Sequence, residues 1–246
     1  MPPVVEAAFW GFVGASALII GAEVAFAFKL SRMVIGLIMA FGVGAIISAV
    51  AFELVVPALE SADGWLVSAA LLAGAIVFFL GDRAVSSLGG SKRKNPEAQD
   101  EGGGDSGMGI ALGSVLDGIP ESAVLGMSLV GGAVSPALLA SIWVSNFPES
   151  LGSSVNMAKS GRTKTWIRIL WLSIAGVSAL SAAIGFAIVD GTDARTGAVV
   201  QAFAAGALLT MIADEMAPEA FGKSALYTGL ATSAGFVLAL FLTSLE

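Results

Sequence analysis

Residues 41–53 read FGVGAIISAVAFE, and residues 203–215 read FAAGALLTMIADE. The two stretches align without gaps: phenylalanine, glycine, alanine and the final glutamate coincide, and most other pairs exchange similar small or apolar residues. A proline follows each glutamate closely, Pro57 in the first copy and Pro218 in the second. Chance similarity between small-residue helices is one explanation, but it does not account for the shared glutamate. We therefore interpret the stretches as two copies of an internal repeat.

The repeat lies in a chain with the composition of a membrane protein. Of its 246 residues, 56% are hydrophobic and only 13% are charged, the mean hydropathy is +0.88, and a soluble domain carries about 25% charged residues. We therefore expect a lipid bilayer as its solvent. The sequence has no cysteine and no histidine, which excludes disulfides, thiolate metal sites and imidazole chemistry. The net charge of -7 argues against binding to nucleic acid.

Apolar runs separated by short polar breaks predict eight transmembrane helices. With the N-terminus outside, only Arg195 of the 12 lysines and arginines falls on the outer side, as the positive-inside rule expects. This pattern predicts an integral plasma (inner) membrane protein with both termini extracytoplasmic. The predicted spans are 5–28, 34–59, 65–82, 108–131, 135–158, 166–189, 196–220 and 225–245.

The two repeat copies fall on the second and seventh spans, which run in opposite directions. This arrangement is typical of an inverted-topology repeat. The predicted fold is an all-α polytopic membrane protein, with helices 1–3 and 6–8 as inverted repeats around a central pair, helices 4 and 5. The chain divides into a first three-helix repeat (1–82), a flexible cytoplasmic loop that is a linker or a regulatory segment (83–107), the central helices (108–158) and a second three-helix repeat (159–246).

Two related motifs lie on the central helices. Residues 117–122 read DGIPES and residues 145–150 read SNFPES. In each, a spacing of four residues puts the first polar residue and the glutamate on one helix face. The proline removes one backbone hydrogen bond and frees a carbonyl oxygen one turn earlier. The candidate ligands are therefore Asp117 and Glu121 on the fourth span, and Ser145, Asn146 and Glu149 on the fifth.

A carboxylate near the bilayer centre costs at least ~2.5 kcal/mol, and no lysine or arginine lies within the fourth or fifth span. Protonation, mutual hydrogen bonds, water or a bound cation could offset this cost, and we favour a cation or proton pathway. Oxygen ligands suit Mn²⁺, Mg²⁺ and Fe²⁺, and carboxylates also bind Zn²⁺ and Cd²⁺. Further acidic candidates on the second and seventh spans are Glu53, Asp214 and Glu215. The chain lacks G-x-S-x-G, H-E-x-x-H and a glycine-rich phosphate loop, so we expect neither enzyme activity nor an organic cofactor.

The sequence resembles the ZIP (Zrt/Irt-like) divalent metal transporters over nearly its whole length. The fourth span of that family carries a His-Asn-x-x-Glu-Gly pattern, which is in register with residues 117–122, and the fifth span carries a motif ending in Glu-Gly or Glu-Leu, matched by residues 145–150. Residues 214–219 (DEMAPE) resemble the family's His-Glu-x-x-Pro-Glu, and residues 53–57 (ELVVP) resemble its His-Leu-x-Pro segment.

The resemblance implies a metal held between the fourth and fifth helices and moved by alternating access. It implies that Asp117, Glu121, Ser145 and Glu149 line the main site, that Gly118 and Asn146 lie where a second metal's ligands often lie, and that Glu53, Asp214 and Glu215 form an exit route or inner gate. Asp117 stands where histidine is usual, Gly118 where asparagine is common, and Ser178 where some members offer a bridging glutamate. We therefore expect one bound ion rather than two, and a lower preference for Zn²⁺ relative to harder ions.

The leading hypothesis is a permease that moves a divalent metal (zinc, manganese, iron or cadmium) toward the cytoplasm. The alternatives are a ZIP-fold protein with altered cargo and a non-transporting metal sensor or scaffold. The expected partners are the metal cation and the bilayer, with a homodimer or packing within one protomer as alternative roles for small residues on the second and seventh spans. Those small residues are Gly42, Gly44, Ala204, Ala205 and Gly206.

Overall fold

The computed structural model describes residues 1–87 and 106–245, and this part of the chain is all-helical, with no strand. Most helices are long, because apolar runs of about 20 residues are interrupted only by short polar turns. The α-helices are α1 (Pro3–Ala27), α2 (Arg32–Ala49), α3 (Val56–Ser61), α4 (Gly64–Ser87), α5 (Ser106–Ser128), α6 (Pro136–Lys159), α7 (Lys164–Val189), α8 (Ala194–Met211), α9 (Ala217–Ser224) and α10 (Thr228–Thr243).

Five helical segments within the described residues are long and apolar enough to cross a membrane, which supports a membrane protein. They are Pro3–Ala27, Arg32–Ser61, Gly64–Ser87, Lys164–Val189 and Ala194–Thr243. The predicted fourth and fifth spans are also helices, α5 and α6, but they are not among these five. The serines, the proline and Glu149 of α6 make it the more polar of these two helices.

Both repeat copies contain a segment of π-helix at the matching position. The first π segment is Val50–Val55, between α2 and α3, and the second is Ile212–Met216, between α8 and α9. Pro57 and Pro218 do not break the helices; each lies in the first turn of the α-helix after its π segment. A proline cannot donate the ordinary helical hydrogen bond, so the turn before it widens and the helix continues.

The ends of α2 and α8 show that these two helices run in opposite directions. At one end, Arg195 Nη2 lies 3.0 Å from Asp63 Oδ2, which joins the start of α8 to the turn after α3. At the other end, a Cβ on Gly36, near the start of α2, would contact the Lys223 and Ser224 side chains of α9. The two aligned stretches, 41–53 and 203–215, therefore lie on helices that run in opposite directions.

Two helix crossings are close because glycine lies at their centre. A Cβ on Gly44 would overlap the carbonyl oxygen of Thr232 on α10. A Cβ on Gly206, the matching glycine of the second copy, would overlap the carbonyl oxygen of Leu71 on α4. The two copies therefore use their matching glycine to bring a partner helix to backbone contact, as small residues do in membrane bundles.

The loop predicted over residues 83–107 is shorter than expected at both ends. Residues 83–87 continue α4, and α5 begins at Ser106. The rest of the predicted loop lies outside the described residues.

Candidate functional site

The site is built on α5 and α6, and the motif proline lies inside each of these helices. Asp117 and Glu121 lie one turn apart on α5, and their exposed fractions are 4% and 3%. The spacing of four residues puts both carboxyl groups on one helix face. The two acidic groups expected to be buried on the fourth span are therefore removed from the surface of the bundle.

Ser145 connects α6 to α5 at this level. Its hydroxyl group donates to the carbonyl oxygen of Ile142 at 2.9 Å and lies 3.5 Å from Glu121 Oε1, which is at the upper limit for a hydrogen bond. Asn146, the next residue, is also buried, and its Nδ2 lies 3.5 Å from the carbonyl oxygen of Gly14 on α1. The structure thus brings Glu121 and Ser145 together. The carbonyl group of Gly14 on α1 orients the side-chain amide of Asn146.

Glycines of neighbouring helices leave room around these polar groups. A Cβ on Gly42 of α2 would lie 3.0 Å from Ser145 Cα, so α2 packs against α6 beside the serine. A Cβ on Gly118 would lie 3.3 Å from Ser178 Oγ on α7. Position 118, where the resemblance places a ligand of a second metal, therefore lies beside position 178, where it places a bridging glutamate, and neither residue is acidic.

Glu149, the remaining predicted ligand on α6, is half-buried. Within residues 1–87 and 106–245, no three acidic side chains are grouped closely enough to hold one metal ion. A cation at this level would therefore combine carboxylate oxygens with neutral serine and asparagine oxygens. Weak ligands of this kind favour release as much as binding.

The three acidic candidates outside α5 and α6 do not lie together. Glu53, in the first π segment, accepts a 2.6 Å hydrogen bond from Thr243 Oγ1 near the end of α10. Asp214 is exposed and Glu215 half-buried in the second π segment. Because α2 and α8 are antiparallel, Glu53 lies toward the end of the bundle with Asp63, whereas Asp214 and Glu215 lie toward the end with Lys223.

The expectation that Glu53, Asp214 and Glu215 share one exit route is therefore revised. Each glutamate lies late in its own helical segment, and the two segments run in opposite directions, so Glu53 and Glu215 lie toward opposite ends of the bundle. The opposite direction of the two copies was the signal in the sequence that predicts this separation.

Sequence reasoning missed two polar residues. Lys223 counts in the sequence as a loop charge, but its side chain is 13% exposed and lies within the bundle beside Glu219. The spacing of four residues between Glu219 and Lys223 on one helix was the signal for that pair. Asp82, near the end of α4, is 7% exposed, although its neighbour Arg83 is typical of a helix end at the membrane surface.

No family model matches the chain, and no curated protein matches it.

Proposed function

We propose that this protein is a permease for divalent metal cations, which moves the ion toward the cytoplasm by alternating access through a site between α5 and α6. The observation that carries the proposal is the convergence of buried oxygen-bearing side chains at one level of the bundle. Ser145 Oγ lies 3.5 Å from Glu121 Oε1. Asp117, one turn before Glu121, and Asn146, next to Ser145, are also buried. Buried carboxylates inside a membrane are costly unless they serve an ion path or are neutralised.

The proposed architecture has eight transmembrane helices, with both termini outside. α8 with α9 would form the seventh span and α10 the eighth, since the start of α8 and the end of α10 both lie toward the same end of α2. Helices 1–3 and 6–8 would then be inverted repeats around α5 and α6, as in many secondary transporters. The matching π segments and the matching glycine crossings support this assignment.

The proposed cycle uses the inverted repeat to open the site alternately toward each side. Glu53 would attract the cation at the outer end, and Asp214 with Glu215 would receive it at the inner end. Between them, Glu121 provides charge, and Ser145 and Asn146 provide neutral oxygens. This ligand set is hard, so we expect Mn²⁺ or Fe²⁺ to compete with Zn²⁺ better than at an imidazole site.

A ZIP-like protein with altered cargo is the alternative that one observation favours. Within the described residues no three acidic groups are close enough to hold one ion. A monovalent cation or a proton requires fewer carboxylates than a divalent metal does. Flux of a divalent ion supports the permease, whereas flux of protons or a monovalent cation without it supports altered cargo.

The test is ion uptake into proteoliposomes for Zn²⁺, Mn²⁺, Fe²⁺, Cd²⁺ and Mg²⁺, beside the double variant Glu121→Ala/Glu149→Ala. Flux of one of these ions that the double variant loses supports the permease and identifies its metal. No flux for any divalent ion, in protein shown to be folded and inserted, contradicts it.

A further inference from the structure

Lys223 lies inside the bundle at the junction of three helices. Its Nζ lies 2.5 Å from Glu219 Oε1 on α9 and 3.5 Å from Met39 Sδ on α2. A Cβ on Gly152 of α6 would lie 3.2 Å from the same nitrogen. With the side chain 13% exposed, the ammonium group is held between α2, α6 and α9 and is not extended into solvent.

Gly152 shares a helix face with the proposed site. Ser145, Glu149 and Gly152 are related by steps of four and three residues, which in an α-helix keep the three on one face. Gly152 lies two turns beyond Ser145, about 10 Å along the helix axis. The ammonium group therefore lies on the ligand-bearing face of α6, between the site and one end of the bundle.

That end is the one at which α2 begins, since Gly36 packs against Lys223 and Ser224. By the positive-inside rule it is the cytoplasmic end, because the turns near it carry most of the lysines and arginines. A cation that leaves the site along this face of α6 meets the ammonium group of Lys223. Two positive charges repel strongly in a medium of low dielectric constant.

We propose that Lys223 is a tethered cation that closes the cytoplasmic end of the ion path, with Glu219 as its counter-ion. Release of the transported ion requires the ammonium group to leave the face of α6. Glu219 holds it in the closed position, and the glycine at 152 provides the space that it occupies. Lys223 is thus a gating residue and not a ligand of the ion. This inference rests on the proposed ion path.

The experiment measures access to the site directly, without ion flux. The chain has no cysteine, so Ser145→Cys provides a single thiol at the site. Inside-out vesicles are treated with a small cationic methanethiosulfonate and with a neutral one of similar size. Lys223→Gln should raise the rate of modification by the cationic reagent at least tenfold, and the rate with the neutral reagent by less.

Three variants complete the design. Lys223→Met removes the charge but keeps an apolar chain beside Met39, and Lys223→Gln/Glu219→Gln removes both charges so that no carboxylate is left alone. Both should raise the rate of modification by the cationic reagent as much as Lys223→Gln does. Lys159→Gln removes an exposed lysine at the end of α6, toward the same side, and should leave the rate unchanged.

An equal rate of modification with and without Lys223, whether fast or slow, overturns the inference. The gate and the permease are separable in this design. If Lys223 controls thiol access but no divalent ion is transported, the proposed function fails while the gate stands. If Glu121-dependent flux is present but access ignores Lys223, only the gate fails.

Discussion

At the scale of single residues, Glu121 has the clearest functional signature. Its side chain is 3% exposed within a helix that also buries Asp117 one turn earlier. Burial of a carboxylate at membrane depth costs at least ~2.5 kcal/mol on insertion scales. Such a cost opposes folding, and this is why we assign Glu121 to the proposed ion path.

Replacement of Glu121 by glutamine separates function from folding. Glutamine keeps the shape and can still accept from the Ser145 hydroxyl, but it removes the charge. We expect Glu121→Gln to reduce divalent-ion uptake at least about tenfold and to leave the thermal unfolding midpoint in detergent unchanged or raised, because a desolvated charge is lost. Glu60→Gln, at an exposed position, is the matched control and should change neither quantity. A large loss of stability with full uptake would contradict the assignment.

Asp193 illustrates an acidic residue with a structural role, the capping of a helix. It caps α8, and its carboxylate accepts hydrogen bonds from the hydroxyl group and the backbone N–H of Thr196, at 2.8 and 3.0 Å. The Thr196 side-chain hydrogen bond is the main cause that lowers the pKa of Asp193 below its ordinary value. A carboxyl group with a lower pKa in the folded state stabilises the fold above its unfolded pKa, and this contribution is lost as pH falls through the folded pKa.

We therefore expect Asp193→Ala to lower the thermal unfolding midpoint at pH 7 and to have a smaller effect at acid pH. Asp193→Asn retains a capping oxygen, so its unfolding midpoint at neutral pH should lie between those of the unchanged protein and of Asp193→Ala. Thermal unfolding followed by circular dichroism at both pH values checks this. If Asp193→Ala lowers the unfolding midpoint equally at neutral and acid pH, the ionised carboxylate of Asp193 is not the source of the stabilisation.

The spacing of residues within one helix could be read from the sequence, but contacts between helices could not. The shared face of Asp117 and Glu121 follows from a step of four residues. The approach of Ser145 to Glu121 depends on how far α6 slides along α5, which no local pattern determines. Lys223 falls between the predicted seventh and eighth spans, and only tertiary packing brings it against Gly152.

At the scale of helices, the paired π segments are the main departure from sequence expectation. Pro57 and Pro218 predict interruptions in the second and seventh spans. The helices instead continue, and the backbone N–H of Val56 bonds to the carbonyl oxygen of Ala51, five residues earlier. A proline shows where a helical hydrogen bond is missing but not how the chain compensates for it, so the missing bond was predictable and the π-helix was not.

The close helix contacts at Gly44 and Gly206 give a test of how the helices pack. Gly44→Ala and Gly206→Ala each place a methyl group against a backbone carbonyl of the partner helix. Overpacking of this kind typically costs about 1–3 kcal/mol, so both variants should unfold at lower temperature. Gly176→Ala, on α7, has open space around its Cβ and should be neutral or stabilising by up to about 1 kcal/mol.

Thermal unfolding of the three variants in one detergent provides the comparison. Similar losses for Gly44→Ala and Gly206→Ala are expected if the two repeats pack in the same way. A loss at one position only would argue that the crossings are not equivalent.

At the scale of the whole molecule, ion pairs mark the two ends of the antiparallel α2 and α8. Arg195 and Asp63 lie at one end, and Lys223 and Glu219 lie toward the other. Which of these ends faces the cytoplasm stays a prediction, made from the distribution of lysine and arginine along the sequence. The sequence could not show that the side chain of Lys223, at the end rich in lysine and arginine, packs between the helices.

Single cysteines test the orientation. Ser160, after α6, and Thr192, before α8, are both exposed in turns. We expect a membrane-impermeant maleimide added to intact cells to label Thr192→Cys and not Ser160→Cys, and disruption of the membrane to expose both. Because the chain has no other cysteine, labelling is unambiguous. The reverse pattern would invert the proposed topology, and labelling of both from outside would contradict a membrane-spanning arrangement.

The most direct test of the central claim is to locate the bound ion. Crystals of the protein soaked in Mn²⁺ or Cd²⁺ should give an anomalous difference peak between α5 and α6, in contact with the Glu121 carboxylate. The peak should vanish in Glu121→Gln. A peak elsewhere in the bundle, or no peak between these helices at a concentration that supports uptake, would contradict the proposed ion path.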